Sequence, residues 1–327
     1  MKIDLSYDGE FGPELQLVTP YAYYLHKQGL LGRTAGARDT KCLYYFSPDH
    51  EEKYDKRFFR SPREAMRSVL PNPDEHVARL DTSKWTPPPY KTQYANDRFR
   101  WTKEPLVIMN KFCTEWKMRT YNYIDVPALE RLIRMLRDRF QIVYCRPGAG
   151  DIVNDGNRVR DLGDFKLLTR YPEVVTIQDL KRANPDLSFN TLQMMVFANC
   201  GKFISVQGGN SVLASYFGGV NIIYARRGLE LEAGDYHHFS LYSGARICPC
   251  LDRGALLRCV RVLFTGKGDH VRDVVSRQFA LYDAGVAARK ARQQKERLKE
   301  TARSKPLLIS FLRKAGLLSD EDMADAS

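Results

Sequence analysis

The chain has 327 residues, of which 43% are hydrophobic and 28% are charged, and its formal net charge is +12. This composition supplies enough apolar side chains for a folded core, so it excludes a mostly disordered chain and a collagen-like chain. The seven cysteines are scattered, which excludes a small disulfide scaffold and favours reduced thiols in a cytoplasmic setting. At about 150 residues per domain, the length predicts about two domains.

The positive charge is concentrated near the end of the chain. Residues 289–314 hold ten Lys and Arg against two Glu, whereas the rest of the chain is only mildly basic. A mildly basic body suits an anionic ligand such as a nucleotide. No apolar run approaches the roughly 20 residues needed to cross a bilayer, and residues 1–8 lack the apolar core of a secretion signal.

The first hundred residues mix short elements with breakers. The predicted elements are a strand at residues 1–7, a helix at 14–28, a strand at 41–46 and a short helix at 61–69. Pro20 should kink the first helix, because proline lacks a backbone N–H and its ring clashes with the preceding turn. Gly29 should cap that helix, and the proline-rich residues 85–101 are predicted to form a linker at a domain junction.

From Pro105 onwards, strands and helices alternate more regularly. The predicted strands cover residues 106–110, 141–145, 174–177, 202–206 and 220–224, and the predicted helices cover residues 127–140, 188–198 and 211–217. Asp125 is expected to cap the first of these helices with its side-chain oxygen. Alternation with short connections indicates an α/β fold with a doubly wound parallel sheet.

The strongest site signal is a turn that joins a buried strand directly to a helix, at Gly208, Gly209, Asn210 and Ser211. Glycines permit a tight turn and the close approach of a ligand. The first amides of a helix offer N–H groups and a positive dipole end to an anion. These residues are therefore predicted to hold phosphates. The alternative is a capped tight turn whose glycines serve only packing.

A second strand-to-helix turn carries three carboxylates, Asp8, Glu10 and Glu14. A carboxylate that a cleft desolvates can act as a general base. Glu14 would lie in the first helical turn, where it can equally act as a capping residue that complements the helix dipole. Both interpretations stay open at this point.

Cations follow three of the predicted strands, namely Lys111, Arg146 and Arg226. Fixed cations near a departing diphosphate stabilise its developing charge without a metal, although any single one is more often a solvated surface residue. The close pair Cys248 and Cys250 is weak support for zinc, because no second pair or nearby His accompanies it.

Residues 105–228 resemble the nucleotide-sugar half of GT-B-fold glycosyltransferases, especially the heptosyltransferase-type family. The resemblance lies in the order strand, Lys-containing loop, helix and strand, followed later by a strand that enters a glycine turn. At the N-terminus, Glu14 is followed six residues later by Pro20, similar to the family's catalytic Asp and its proline. The family's acidic residue and His are absent from residues 207–213, and a Gly/Ser-rich turn there also resembles fucosyltransferase-like enzymes.

The resemblance implies a GT-B-like α/β fold, in which two Rossmann-like domains with parallel sheets face a cleft. It implies inverting, metal-independent transfer of a sugar from a nucleotide-diphosphate sugar to a glycan or lipid-linked hydroxyl, with no further cofactor. By position Glu14 would be the catalytic base, with Asp8 and Glu10 as alternatives. The donor-binding residues would be Lys111, Arg146, Gly208, Gly209, Asn210, Ser211 and Arg226.

Three domains are predicted: an N-terminal acceptor-side domain at residues 1–104, a nucleotide-sugar domain at 105–285 and a basic amphipathic helical tail at 286–327. Residues 289–318 combine basic and apolar faces, which is typical of a helix that lies on an anionic membrane surface. The protein would then be cytoplasmic and peripheral on the membrane. The alternative is a tail that packs on the protein or on another subunit.

Two other functions remain open. A nucleotide-sugar epimerase on the same fold would need no acceptor. A nucleic-acid-binding protein would use the basic tail and would show a steep dependence on salt. No RNA-binding aromatic motif accompanies the tail, so nucleic acid is not expected as a partner.

Overall fold

A computed structural model of the protein describes residues 1–58, 82–114, 120–147, 159–267 and 271–304. These residues form two parallel β-sheets, and both sheets lie in a compact unit that spans Met1–Phe279. Ala280–Ser327 form a second unit. The smaller sheet ends at Tyr54 and the larger sheet begins at Glu104, and the predicted domain limits stay predictions.

The smaller sheet consists of three parallel strands in the order β1 (Ile3–Ser6), β2 (Leu31–Ala37) and β3 (His50–Tyr54). The connection from β1 to β2 is helical and comprises α1 (Phe11–Pro13), a π-helical turn (Glu14–Val18) and α2 (Thr19–Lys27). Gly29 ends it with a φ of +68°, and Leu30 N donates to Leu25 O at 2.8 Å. This arrangement confirms the predicted glycine cap.

The irregularity predicted at Pro20 takes the form of the π-helical turn. Because Pro20 has no N–H, the carbonyl oxygen of Gln16 receives no hydrogen bond from it. The indole of Trp85 donates to that oxygen at 2.7 Å instead. One step earlier, Thr19 N bonds to Glu14 O, five residues back rather than four. Single π-turns of this kind occur often near functional sites.

The strand predicted at residues 41–46 is wrong, because this stretch forms turns. Its apolar and aromatic residues are buried by contacts with distant parts of the chain. Tyr94 Oη donates to Cys42 O at 2.6 Å, and Tyr90 Oη donates to Leu43 O at 3.0 Å. Tertiary hydrogen bonds thus satisfy carbonyl groups that a sheet would otherwise satisfy.

The larger sheet has six parallel strands in the order β6-β5-β4-β7-β8-β9. The strands are β4 (Glu104–Met109), β5 (Phe140–Cys145), β6 (Val175–Thr176), β7 (Lys202–Val206), β8 (Val220–Tyr224) and β9 (Arg246–Cys250). The predicted α/β class with parallel sheets is therefore confirmed. The sequence analysis located five of these strands and missed β9, whose Pro249 weakens a strand pattern.

The remaining helices are α3 (Tyr90–Gln93), α4 (Val126–Leu136), α5 (Asp164–Leu168), α6 (Ile177–Ala183), α7 (Phe189–Ala198), α8 (Gly209–Ser215), α9 (Leu229–Ala233), α10 (Arg253–Thr265) and α11 (Val271–Ser304). Asp125 caps α4 by accepting a bond from Ala128 N at 3.1 Å, as predicted. The buried face of α4, at Leu129, Leu132 and Ile133, belongs to the core of the larger sheet.

The proline-rich stretch at residues 85–101 contacts elements next to both sheets. Lys91 Nζ donates to the carbonyl oxygens of Cys200 and Phe217, which follow α7 and α8, at 3.0 and 2.8 Å. The ring of Tyr90 lies 4.8 Å from that of Tyr216. These residues therefore hold the two sheets in a fixed relation within the first compact unit.

Two of the predicted segments fall partly or wholly outside the described residues. The helix predicted at residues 61–69 lies outside them, as does the part of the tail after Ser304. The start of the tail is helical, in agreement with the prediction, because α11 continues to Ser304. In the part of the chain that the structure describes, no helix has the length and apolar character that a membrane span requires.

Candidate active site

The larger sheet reverses its direction of growth between β4 and β7. On one side of β4 lie β5 and β6, and on the other lie β7, β8 and β9, so β4 and β7 are neighbours although distant in sequence. Open parallel sheets bind ligands outside the carboxyl ends of their strands at such a switch point. The residues that follow β4 and β7 are therefore the natural floor of a site.

The turn after β7 combines partial exposure with tight local hydrogen bonding. Gly208 has a φ of +114°, a conformation that favours glycine, and α8 begins at the next residue. The carbonyl oxygen of Gly208 accepts bonds from Ser211 N at 2.9 Å and from Ser211 Oγ at 2.8 Å. Ser211 is thus buried and committed to shaping the turn, whereas Gly208, Gly209 and Asn210 are half-buried and border solvent.

Lys111 lies beside this turn. A Cβ atom on Gly208 would lie only 3.3 Å from Lys111 Nζ, so the ammonium group approaches the glycine backbone closely. The backbone N of Lys111 donates to Asn110 Oδ1 at 3.0 Å, and Asn110 is fully buried. The structure therefore brings together two of the predicted donor-binding features, the glycine turn after β7 and the lysine after β4.

The turn after β1 lies against the glycine turn after β7. A Cβ atom on Gly209 would lie 2.8 Å from Phe11 Cδ1 and 3.3 Å from Gly12 N, and one on Gly12 would lie 3.5 Å from Gly209 N. The two strand-to-helix turns therefore lie backbone to backbone, and the approach is tight at Gly209, where a Cβ would collide with the Phe11 ring, whereas a Cβ at Gly12 would make only an ordinary contact. The carboxylate-bearing turn and the glycine turn, more than 190 residues apart in sequence, meet at one edge.

Glu14 does not border this opening. Its carboxylate is fully buried and accepts a hydrogen bond from Tyr44 Oη at 2.9 Å. Arg57 Nη2 lies 2.6 Å from Glu14 Oε2, an ion-pair distance, although its N–H is not aligned for a hydrogen bond to that oxygen. Burial and the adjacent Glu14 carboxylate raise the pKa of Tyr44 well above its usual value. A buried, paired carboxylate lacks the access that an acceptor hydroxyl requires, so the predicted base role of Glu14 has no support in this geometry.

Arg57 fixes the loop that leads to Glu14. Its Nη1 donates to Gly9 O at 2.9 Å, and its guanidinium carbon lies 5.3 Å from the centre of the Phe11 ring. The same Phe11 ring contacts Gly209, so the Glu14–Arg57 ion pair holds the loop in register with the glycine turn. The structure gives Glu14 a positioning role through Arg57 and Tyr44, which differs from both predicted roles, and no capping hydrogen bond from its side chain is found among the described residues.

The other two candidate carboxylates, Asp8 and Glu10, are half-buried. The backbone of Asp8 accepts a hydrogen bond from Phe58 N at 2.8 Å, and that of Glu10 accepts one from Tyr7 Oη at 3.2 Å. Their main chains are thus held in place. Both residues are partly exposed, in contrast to the fully buried Glu14, and a general base must be within reach of the hydroxyl whose proton it takes.

Arg146 is buried and does not border the opening. Its Nη1 lies 2.5 Å from Asp164 Oδ2, and Tyr144 Oη donates to the same oxygen at 2.5 Å. Asn110 Nδ2 bonds in turn to Tyr144 Oη at 3.2 Å. This chain of contacts ends at Asn110, which holds the backbone of Lys111. The geometry therefore gives Arg146 a positioning role behind Lys111 instead of direct contact with a ligand.

Arg226 is exposed at the end of β8, and its backbone is tied to the segment after β4. Asn122 Oδ1 accepts bonds from Arg226 N and Arg227 N at 2.8 and 3.2 Å. Arg227 itself lies over the ring of Tyr121, with 4.8 Å between guanidinium carbon and ring centre. Arg226 is thus held on the rim beyond the strand ends, as predicted.

Glu230 is a site residue that sequence reasoning missed. Gln207 Nε2 donates to Glu230 Oε2 at 2.7 Å, so the carboxylate lies beside the glycine turn. Burial raises the pKa of Glu230 and Lys111 opposes that shift, which places the carboxylate within electrostatic range of the ammonium group. Gly228 makes this possible, because a Cβ there would collide with Gln207. The available signal was Gly228 followed two residues later by Glu230, in the connection that leaves β8.

An open groove of about 790 Å³ runs beside the carboxyl end of β2. Because β1 and β2 are parallel neighbours, this groove lies at the same edge of the smaller sheet as Asp8 and Glu10. It is lined by Tyr45 and Tyr94 and by charged side chains of both signs, among them Asp39 and Lys181. Asp39 adopts a φ of +63° and accepts a bond from Asn190 N at 2.8 Å, which ties the groove to the start of α7.

The chain was compared with family models, with curated proteins and with solved structures. No family model matches the chain, and no curated protein matches it. Among solved structures, the chain is similar to one described as a glycosyl transferase family 9 structure from Veillonella parvula, with a TM-score of 0.48 and 9% identity over 88% of this chain and 97% of that one. A similarity at this level identifies no site residue.

Proposed function

We propose that the protein is a glycosyltransferase that moves a sugar from a nucleotide-diphosphate sugar to a hydroxyl acceptor. The observation that carries this proposal is the contact between Gly12 and Gly209. It joins a turn with two partly exposed acidic residues to a turn with a half-buried glycine backbone and an adjacent lysine. Direct glycosyl transfer needs these two components, a base for the acceptor hydroxyl and a positive site for the departing diphosphate.

On the donor side, the diphosphate would lie against the backbone of Gly208, Gly209 and Asn210, with Lys111 as the nearest cation. Arg226 would contact the outer part of the donor from the rim. Lys111 and the amides would stabilise the charge that grows as the bond to the sugar breaks. Glu230, beside Gln207, offers carboxylate oxygens to the hydroxyls of the donor. Ser211 and Arg146 would act by shaping the turn and by placing Asn110.

On the acceptor side, Asp8 or Glu10 would take the proton of the attacking hydroxyl. Attack by an acceptor from the face opposite the diphosphate, in a single step with a single base, inverts the anomeric centre. The diphosphate would be neutralised by side chains and amides, so the reaction as proposed needs no metal. The groove beside β2 would hold the rest of the acceptor, since tyrosines and charged groups of both signs suit a ligand with many hydroxyls.

Donor binding is tested by calorimetric titration with uridine, guanosine, adenosine and thymidine diphosphates. Loss of a charge-assisted hydrogen bond is worth about 1.5–3 kcal/mol, so Lys111→Met should raise the dissociation constant of the preferred nucleotide at least about 10-fold. Lys202→Met is the matched control, because Lys202 opens β7 at the opposite edge of the sheet. If the wild type, Lys111→Met and Lys202→Met all bind the preferred nucleotide equally well, the proposed donor site is contradicted.

The base is tested by turnover with the donor that the titration identifies. Loss of a general base costs about 10²–10⁴ in rate, so Asp8→Asn or Glu10→Gln should lower turnover to this extent while nucleotide binding stays unchanged. If neither variant slows the reaction, the base lies elsewhere. Conversion of the donor sugar without any acceptor would instead identify an epimerase on this fold.

We further propose that the basic tail brings the enzyme to an anionic membrane surface at the cytoplasmic face. The described part of α11 supports this with exposed cations at Lys290, Arg292, Lys295 and Arg297, each worth about 1 kcal/mol near such a surface. Co-sedimentation with phosphatidylserine vesicles should fall at high salt and on deletion of residues 289–327. Binding that ignores salt would contradict this docking.

A further inference from the structure

Three cysteines converge where β9 packs against α10. The sulfur atoms of Cys248, Cys250 and Cys259 all lie within 4.8 Å of one another, and all three residues are fully buried. None forms a disulfide. The other described cysteines do not join such a group, since this is the one cluster of three or more His, Cys, Asp or Glu ligands found within the described ranges.

The local structure explains why the sulfurs meet. Cys248 and Cys250 are two residues apart in β9, so their side chains project from the same face of the strand. Cys259 lies in α10, the helix that covers that face, between the buried residues Leu256 and Val260. Pro249 between the two strand cysteines pairs with Ile223 of β8, which keeps β9 in the sheet. The cluster is thus built by two rigid elements.

The separations match the needs of a bound metal ion. An ion with three metal–sulfur bonds of about 2.3 Å in one plane holds its sulfurs about 4.0 Å apart, which is within the observed limit. Small shifts of side chains would suffice.

The number and type of ligands in the cluster limit which metal ions can bind there. Structural zinc sites supply four protein ligands, whereas this cluster supplies three. Soft sulfur ligands select soft ions such as Cu(I), which accept three-coordinate sites. An oxygen-seeking ion such as Mg²⁺ or Ca²⁺ would find no oxygen ligand among these three side chains.

We propose that Cys248, Cys250 and Cys259 form a binding site for a single thiophilic metal ion of the Cu(I) type, held by three sulfurs between β9 and α10. The site is separate from the proposed donor turn and does not depend on the proposed reaction. Because bound thiols lose their protons, the affinity should rise with pH.

The test is an anaerobic competition in which the reduced, full-length protein takes Cu(I) from a coloured chelator. The wild type should remove one equivalent. Cys259→Ser should lose at least 100-fold in affinity, because only two sulfurs remain. Cys200→Ser is the matched control: Cys200 is also buried, lies outside the cluster and bonds to Val196 O, a bond that serine can keep. This control should bind like the wild type.

X-ray absorption at the copper edge of the loaded wild type gives a second measurement that needs no variant. Three sulfurs near 2.3 Å are expected. Copper with two sulfurs, or with nitrogen or oxygen ligands, would overturn the proposal even if Cys259→Ser failed to fold. The same holds if Cys259→Ser competes as well as the wild type, or if zinc binds to the three sulfurs and Cu(I) does not.

Discussion

Two of the glycine-bearing turns that join a strand to a helix, the one after β7 and the one after β1, have opposite characters. The turn after β7 leaves Gly208, Gly209 and Asn210 half-buried and has Lys111 beside it. In the turn after β1 the last carboxylate, that of Glu14, is fully buried and paired with Arg57. The turn after β7 leaves its backbone partly exposed, whereas in the turn after β1 the Glu14 carboxylate pairs with Arg57 and holds the loop in place.

The comparison shows that a charged residue in a turn at the end of a strand can be either buried or partly exposed, and that its position in the sequence does not decide which. Glu14 has the position expected for a base, yet Arg57 and Tyr44 reach it from distant parts of the chain. Asp8 and Glu10 carry the same chemistry a few residues earlier and are partly exposed. What distinguishes the three carboxylates is the tertiary partner that each one finds.

The largest expected effect concerns the turn after β1, where Glu14 is buried and paired with Arg57. Glu14→Gln leaves Arg57 as a buried, unbalanced charge, so the free energy of unfolding should fall by about 3 kcal/mol. Chemical denaturation measures this change. The double variant Glu14→Leu with Arg57→Leu should recover part of the loss, because replacing both members of a buried pair by apolar residues is often close to neutral.

A different outcome would reverse the assignment of roles. If Glu14→Gln keeps the stability of the wild type but loses turnover about 100-fold or more while it still binds the nucleotide, then Glu14 is the general base after all. Stability and rate together therefore decide between the two interpretations of this residue.

The next largest effect concerns the glycine turn after β7. Gly209→Val would push Phe11 and the loop at Gly12 away from the glycine turn, and displacements of about 1 Å can cost about 100-fold in rate. Both nucleotide binding and turnover should therefore fall sharply. Gly201→Ala is the control, since a Cβ there meets no atom within 4 Å. Full activity in Gly209→Val would show that contact between the two turns is not required.

The smallest expected effect is a pH dependence of stability that arises from His50 in β3, the last strand of the smaller sheet. His50 bonds to Thr34 Oγ1 at 2.8 Å and to Thr40 Oγ1 at 3.1 Å, and burial lowers its pKa below the ordinary 6.5. The unfolded chain therefore takes up a proton first as the pH falls through 6.5, and stability declines until His50 is protonated in the folded state.

This pH dependence is measured by denaturation at a series of pH values. His50→Gln should make stability less sensitive to pH below 6.5 than it is in the wild type. An unaltered slope in His50→Gln would assign the pH dependence to other groups.

The regular part of the fold could be predicted because its signals are local. The strands β7 and β8 match the predicted residues, and Asp125 caps α4, because apolar periodicity and capping chemistry act over a few residues. The stretch at residues 41–46 was misassigned for the opposite reason. Its strand-like residues are held by Tyr90 and Tyr94, whose contacts no local pattern shows.

The sequence by itself determined the α/β class, the glycine turn after β7 and the lysine after β4, because each depends on neighbours in the chain. Only the tertiary structure decided that Gly12 meets Gly209, that Glu14 and Arg146 are buried in ion pairs, and that Cys259 joins Cys248 and Cys250. These are contacts between residues at least nine positions apart, and long-range packing alone brings such residues together.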